Sequence, residues 1–266
     1  MDRVSFFDQQ RPLVFAHRGG AALAPENTLA AFDRGVASGA DGIELDVHLS
    51  ADGVPVVHHD RTLERTTNAA GPISARTAAE LAVVDAGYHF GAADGFPFRG
   101  QQIGVPTLRE VLHRYRDVRV IIEMKMDVPQ LGEAVAAEVR RASALERICL
   151  AGYGSRSAAA ARAALPGVAC SASQAEVKLA LYRTWARWPV RRVRYGGYQV
   201  PEVVGRLRVV SRRFVRYAHR AGLRVHIWTV DEDSEARRLY GWGVDGLISN
   251  RPDIVVKARN ASFDPS

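Results

Sequence analysis

The chain has 266 residues, of which 47% are hydrophobic and 24% are charged, and it carries a formal net charge of +7. This composition excludes disordered, collagen-like and disulfide-rich mini-protein classes, and no apolar run reaches the roughly 18 residues of a transmembrane helix. The first 20 residues contain no apolar segment typical of a secretory signal, and the only cysteines are Cys149 and Cys170. Two cysteines in apolar surroundings suit a reducing compartment, so the sequence predicts a cytoplasmic protein.

Short β-rich runs alternate with helical patterns along the whole chain. The strand candidates are residues 13–17, 42–48, 54–59, 119–125, 148–152, 168–171, 224–230 and 246–249, with a weaker candidate at 193–200. Helical patterns cover residues 28–38, 131–142, 155–165, 211–221 and 233–240, and another helix starts at Thr107, where Glu110 completes a capping box. Repeated βα units predict a parallel sheet covered by helices, either a closed barrel or a doubly wound sheet.

Two features favour an α/β fold of the TIM (β/α)8 barrel type over residues 1–266. Eight of the nine strand candidates, all except residues 54–59, start βα units when the weaker one at 193–200 is included. Polar residues also gather at the carboxyl ends of strands, where barrel active sites lie. The link between residues 48 and 54 is too short for a parallel crossover, so residues 54–59 are predicted to form an antiparallel hairpin with the second strand. The irregular residues 61–106 that follow are predicted to form a small insertion, either a cap near the active-site mouth or a long loop.

Three acidic residues are predicted to face the inside of this barrel. Glu44 and Asp46 are two positions apart on one strand, so their side chains share a face, and the apolar residues between them take the other face. Glu123 repeats this pattern on a later strand, with Lys125 two positions further on. Buried carboxylates that repel each other need a cation, and oxygen ligands of this kind suit Mg²⁺ or Ca²⁺, with Mn²⁺ as a third candidate.

Two histidines follow strands close to these acidic residues. Strand alternation lets only one of His58 and His59 face inward, and the hairpin places His59 near the predicted metal, followed directly by Asp60. His17 ends the first strand candidate next to Arg18 and two glycines. An imidazole titrates near neutrality, so these histidines are candidates for acid–base chemistry.

These residues belong to an ordered set of motifs that resembles the glycerophosphodiester phosphodiesterases. The motifs are HRGG at 17–20, PENT at 25–28, ELDV at 44–47, HD at 59–60, VPTL at 105–108, IEMK at 122–125, WTV at 228–230 and DGLI at 245–248. They extend over nearly the whole chain in the order of that family. The resemblance implies a TIM barrel, a divalent metal, and cleavage of glycerophosphodiesters to glycerol 3-phosphate and an alcohol.

The resemblance also implies roles for individual residues. By motif position, His17 and His59 would be the acid/base pair, and Glu44, Asp46 and Glu123 the metal ligands. Arg18 and Lys125 would hold phosphate oxygens, and Trp228 would line the glycerol side. Asn250 stands where many relatives have Asp. The nucleophile is either water or the glycerol 2-hydroxyl, and the sequence does not choose between them.

The positive charge is concentrated in one segment. From Arg183 to Arg224 the chain has twelve arginines and one acidic residue, a local charge of +11 against −4 for the rest. Trp185 and Trp188 lie among these arginines, so the alternatives are a peripheral membrane contact, attraction of anionic substrates, or solvated helix faces. No zinc-finger or RNP-like motif indicates nucleic acid. The predicted substrate is a small glycerophosphodiester. Because of this segment, the alternative is a lysophospholipase D-like enzyme that acts on lipid substrates at a membrane surface.

Overall fold

The computed structural model describes residues 6–152, 154–186, 188 and 193–263. Its strands are β1 (Leu13–Ala16), β2 (Gly42–Leu49), β3 (Pro55–Val57), β4 (Arg119–Met124), β5 (Ile148–Ala151), β6 (Ala169–Cys170), β7 (Gly197–Pro201), β8 (Val203–Val204), β9 (Leu207–Arg208), β10 (Arg224–Trp228) and β11 (Gly246–Ser249). Its α-helices are α1 (Leu29–Ala37), α2 (Ala78–Ala82), α3 (Leu108–Arg114), α4 (Pro129–Arg141), α5 (Ser155–Ala164), α6 (Gln174–Ala186), α7 (Arg212–Arg220), α8 (Asp233–Tyr240) and α9 (Pro252–Phe263).

Eight parallel strands form a nearly closed barrel with helices around it. The strand order is β6-β5-β4-β2-β1-β11-β10-β7. A parallel bridge between Ser171 and Gly197 joins the two ends, where the Gly196 amide donates to the Cys170 carbonyl oxygen at 3.0 Å. The predicted TIM barrel is therefore confirmed, and the weak candidate at 193–200 is the strand β7.

The predicted helix patterns are present, and three helices were missed: the five-residue α2, which lies in the irregular residues 61–106, and the longer α6 and α9. The capping box at the start of α3 is complete, because the Thr107 hydroxyl accepts from the Glu110 amide and Glu110 accepts from the Thr107 amide. The helices α6 and α9 had no prediction, since their apolar residues are not confined to one face and give little helical periodicity. No helix among the described residues is long and apolar enough to span a membrane.

Strand alternation separates the polar interior from the apolar outer layer, as the sequence predicts for β2. Ile43, Leu45 and Val47 are fully buried in the layer between the sheet and the helices. Glu44 and Asp46 project to the other side, into the barrel. The amino end of the barrel interior is filled by an apolar cluster of Phe6, Phe7, Leu13, Phe15, Ile121, Cys149 and Ile248. The carboxylates of Glu44 and Asp46 thus lie beyond this cluster, toward the carboxyl end of the strands.

The predicted antiparallel hairpin after the second strand is confirmed. Val57 of β3 pairs with Val47 of β2, and the His58 amide donates to the Asp46 carbonyl oxygen at 3.0 Å. The chain that follows, residues 61–106, contains the short helix α2 and buries a small apolar cluster of its own, formed with Val56 of β3. That cluster fixes the segment directly after His59.

Candidate active site

The three predicted carboxylates meet at the carboxyl end of β2 and β4. Asp46 and Glu123 are paired residues of these parallel strands, and Glu44 lies two positions before Asp46. One oxygen from each of the three carboxylates lies within 4.8 Å of the others. Burial raises the pKa of Glu44, and the neighbouring charges of Asp46 and Glu123 raise it further. The cluster therefore has excess negative charge that a cation would neutralise.

Two side chains of the protein already contact this cluster. The Lys125 ammonium lies 3.1 Å from Asp46 Oδ1 and 2.9 Å from Glu123 Oε1. Burial alone would lower the pKa of Lys125, but Asp46 and Glu123 raise it above its usual value. The Asn27 amide donates to Asp46 Oδ2 at 2.8 Å and accepts from the Asp46 backbone amide at 3.2 Å. Asn27, to which sequence reasoning gave no role, holds Asp46 in place, and its position in the PENT motif was the available signal.

The turn after β1 brings Arg18 to the same cluster. The Arg18 backbone amide donates to Glu44 Oε2 at 3.0 Å, and its Nε lies 3.5 Å from Asp46 Oδ2. Arg18 has a positive φ of 51°, which is costly for a residue with a side chain. The turn continues through Gly19, where a Cβ atom would lie 2.7 Å from the Phe32 side chain. The His-Arg-Gly sequence therefore permits a tight turn pressed against α1.

A chain of hydrogen bonds through Asn250 and Asp231 orients His17. Its Nδ1 lies 2.7 Å from Asn250 Oδ1, and Asn250 Nδ2 donates to Asp231 Oδ2 at 2.8 Å. The Asp231 carboxylate accepts hydrogen bonds, so the amide nitrogen of Asn250 faces Asp231 and its oxygen faces His17. This pattern assigns the proton to Nδ1 of His17 and leaves Nε2, 3.9 Å from Glu44 Oε2, facing the carboxylates. Burial and the nearby Arg18 charge lower the pKa of His17.

The two neighbouring histidines after β3 have different surroundings. Both ring nitrogens of the buried His58 are in contact, Nδ1 with the Asp60 carbonyl oxygen and Nε2 with Thr66 Oγ1, each at 3.1 Å. His59 Nδ1 lies 2.6 Å from Asp60 Oδ1, and its side chain is more exposed. Among the described residues, Nε2 of His59 has no protein partner, whereas both ring nitrogens of His58 have one.

Arg65 connects the His59 side of the site to the Arg18 side. Its guanidinium donates to Asp60 Oδ2 at 2.5 Å and to both oxygens of Glu26, and Glu26 Oε1 also accepts from Arg18 at 2.9 Å. Burial alone would raise the pKa of Glu26, but Arg65 and Arg18 lower it to about 2. Neither Glu26 nor Arg65 was predicted as a site residue, although Glu26 lies in the PENT motif.

Trp228, the remaining predicted site residue, is the last residue of β10. It is partly buried and packs against the apolar cluster inside the barrel. Its position at the carboxyl end of a barrel strand places it at the same end as the other predicted residues. The carboxylates, His17, Arg18 and Lys125 are linked by direct contacts. In the contacts described, His59 is connected to Arg18 only through Asp60, Arg65 and Glu26, and Trp228 stands apart.

Comparisons with known proteins identify the relatives of this chain. The model of the glycerophosphoryl diester phosphodiesterase family matches residues 17–254. The YhdW protein of Bacillus subtilis (strain 168) is 34% identical over 247 residues, covering 92% of this chain and 96% of the relative. The glycerophosphodiester phosphodiesterase of Caldanaerobacter subterraneus subsp. tengcongensis is 32% identical over 256 residues, covering 92% and 97%.

Solved structures share the same fold. The glycerophosphodiester phosphodiesterase of Agrobacterium tumefaciens (str. C58) aligns with a TM-score of 0.75 and 29% identity, covering 92% of this chain and 99% of that one. An Oleispira antarctica phosphodiesterase in complex with the product sn-glycerol-3-phosphate aligns with a TM-score of 0.74 and 27% identity, covering 93% and 96%.

Proposed function

Because the chain belongs to the glycerophosphoryl diester phosphodiesterase family, we propose that it hydrolyses glycerophosphodiesters to sn-glycerol 3-phosphate and an alcohol, with His17 and His59 as the acid/base pair. The observation that carries this proposal is the geometry of these two histidines. Each has its Nδ1 hydrogen-bonded to a polar side chain of the protein, which leaves Nε2 for the substrate. The product complex of the Oleispira antarctica relative supports the choice of substrate.

The charged side chains would bind the phosphodiester and the histidines would move protons. Arg18 and Lys125 would donate to phosphate oxygens, where negative charge increases in the transition state. One histidine would take the proton of the attacking hydroxyl, and the other would protonate the departing alcohol. Hydrogen bonds from the ring Nδ1 atoms to Asn250 and Asp60 fix the orientation of the two rings before the substrate arrives. The attacking hydroxyl would be that of water or the glycerol 2-hydroxyl.

We further propose that Glu44, Asp46 and Glu123 bind one divalent cation. The donor set fits, because three carboxylate oxygens converge and Mg²⁺, Ca²⁺ and Mn²⁺ prefer oxygen ligands. A bound cation would withdraw negative charge from the phosphate group. The ammonium of Lys125, which now contacts two of the three carboxylates, would then be released toward a phosphate oxygen.

Metal dependence tests this function. Chelation should abolish release of glycerol 3-phosphate from glycerophosphocholine, and Mg²⁺, Ca²⁺ or Mn²⁺ should restore it. The metal should also raise the melting temperature, because a ligand of the folded state stabilises it. Glu44→Gln should remove this metal-dependent rise in melting temperature. The control variant Glu133→Gln, on the helix α4, should retain it. Full activity after exhaustive chelation, with no metal found by elemental analysis, would contradict the proposal.

The exposed aromatic and basic residues around α6 favour a second candidate substrate, a lysophospholipid at a membrane surface. Turnover of lysophosphatidylcholine should then match or exceed that of glycerophosphocholine under the same metal. Turnover of glycerophosphocholine alone contradicts the lipid candidate and leaves the first proposal standing. The cytoplasmic location stays a prediction, supported by the two buried cysteines, which are not disulfide-linked.

A further inference from the structure

The exposed hydrophobic residues of this protein are concentrated in one region. Among the described residues, nine large hydrophobic side chains are exposed, and seven of them lie between residues 179 and 207. Four form an aromatic-rich face on α6 and just beyond it: Leu179, Tyr182, Trp185 and Trp188, exposed by 47, 66, 53 and 67%. The Tyr182 and Trp185 rings touch edge to face at 5.7 Å. Exposed apolar groups gathered in this way mark an interaction surface.

An arginine-rich face of α7 adjoins this aromatic face. Arg212, Arg213, Arg216 and Arg220 are all exposed. The Arg213 guanidinium donates to the Trp185 carbonyl oxygen at 3.1 Å, which places the start of α7 beside the end of α6. In the part of the chain that the structure describes, none of these four arginines forms an ion pair. The basic segment's Arg187, Arg191 and Arg192 lie outside the described residues.

The acidic residues of this region are engaged elsewhere. Glu176 accepts hydrogen bonds from the backbone amide and hydroxyl of Ser173 at the start of α6. Glu202 is held by Arg208 and Arg238. The arginines of α7 therefore present positive charge that no nearby carboxylate neutralises.

We propose that the outer faces of α6 and α7 form a docking surface for an anionic lipid bilayer. Tryptophan and tyrosine favour the bilayer interface, and exposed arginines attract anionic headgroups. The exposed aliphatic residues favour a lipid bilayer over a nucleic acid as the partner. Leu179 and the exposed Val203, Val204 and Leu207 of the β8–β9 hairpin can contact acyl chains. A nucleic acid would engage the arginines and aromatic rings but leave these aliphatic groups in water.

This surface is separate from the proposed active site. The helices α6 and α7 follow β6 and β7, which lie on the opposite wall of the barrel from β2. Docking would therefore hold the protein at a membrane without covering the carboxylates. Vesicle binding is measured without substrate, so its outcome tests the docking proposal independently of the proposed hydrolytic function.

Co-sedimentation with lipid vesicles tests the surface. The full chain should bind vesicles containing phosphatidylglycerol at low salt, bind weakly to pure phosphatidylcholine, and dissociate as salt is raised. The triple variant Arg212→Glu, Arg216→Glu and Arg220→Glu should lose at least about 100-fold in partitioning, since each engaged arginine contributes about fivefold. A control with the same charge change elsewhere, Arg34→Glu, Arg116→Glu and Arg140→Glu, should retain most of the binding. Both variants should turn over glycerophosphocholine like the unchanged protein.

Tryptophan fluorescence locates the contact without relying on charge variants. Brominated phosphatidylcholine mixed into anionic vesicles should quench the protein, and Trp185→Ser with Trp188→Ser should remove most of the quenching. The other two tryptophans, Trp228 and Trp242, are partly buried. Absence of vesicle binding at low salt overturns the proposal. So does equal loss of binding in the charge control, or tighter binding to duplex DNA than to the anionic vesicles.

Discussion

At the residue scale, His58 and His59 show how one position along the chain separates structure from chemistry. They are adjacent in sequence directly after β3, and their side chains have different surroundings. His58 is almost completely buried, and burial lowers its pKa below the usual value. The His59 side chain contacts only the Asp60 carboxylate in the described contacts, and Asp60 in turn is held by Arg65. The first histidine therefore ties residues 60–66 to the barrel, and the orientation of the second is the one that its proposed acid–base role requires.

The two histidines should respond differently to removal. His59→Ala should lower kcat by roughly 10²–10⁴, the usual contribution of a positioned acid or base, with little change in melting temperature. His58→Ala should instead lower the melting temperature, because it removes two hydrogen bonds and leaves Thr66 without its partner. Steady-state kinetics and thermal unfolding of both variants separate these effects. A His58→Ala protein with normal stability and no activity would mean that the catalytic register of the hairpin is shifted by one residue.

At the scale of elements, the sequence predicts those parts whose signal is local. Period-two alternation in residues 42–48 and the short link to residue 54 were enough to predict β2 and its antiparallel partner β3. The helix α6 was missed because it exposes Leu179, Tyr182 and Trp185 while burying Ala180 and Leu181, so its apolar residues surround the axis. The contact of Asn250 with His17 joins residues 233 positions apart. No local sequence pattern encodes a contact between residues so far apart. The observation that many relatives have Asp at position 250 did not indicate a contact with His17 either.

The capping box of α3 offers a test of one such local signal. Thr107→Ala should lower the free energy of unfolding by about 1 kcal/mol, because the Glu110 amide loses its acceptor. Thr77 forms the same capping box at the start of α2, within residues 61–106. If residues 61–106 unfold before the barrel does, Thr77→Ala should lower the free energy of global unfolding by less than Thr107→Ala does. Urea denaturation of both variants gives the two values. Equal losses would show that the segment and the barrel unfold together.

At the scale of the whole molecule, the barrel interior divides into a charged end and an apolar end. His226 of β10 lies in the apolar end, fully buried between the rings of Phe7 and Phe15 at 5.6 and 5.3 Å. Neither of its ring nitrogens has a hydrogen-bond partner among the described residues. Its ring also fills the space beside Gly246, where a Cβ atom would lie 2.8 Å away. This histidine serves as an aromatic filler, and its uncharged form is the one that the fold accommodates.

Acid sensitivity of folding should therefore depend on His226. Burial lowers its pKa from 6.5 to about 4, although the charge of Asp245 opposes the shift. Well above pH 6.5 the imidazole is neutral in both states and contributes no pH dependence. As the pH falls from 6.5 toward 4, the unfolded chain binds a proton that the folded chain does not, so stability is lost. Between pH 7 and pH 5 this loss should be about 2 kcal/mol, and His226→Phe should remove that part of the slope. Urea unfolding of both proteins across this range measures the difference. Their slopes should agree above pH 7, and equal slopes below pH 6.5 as well would refute the role given to His226.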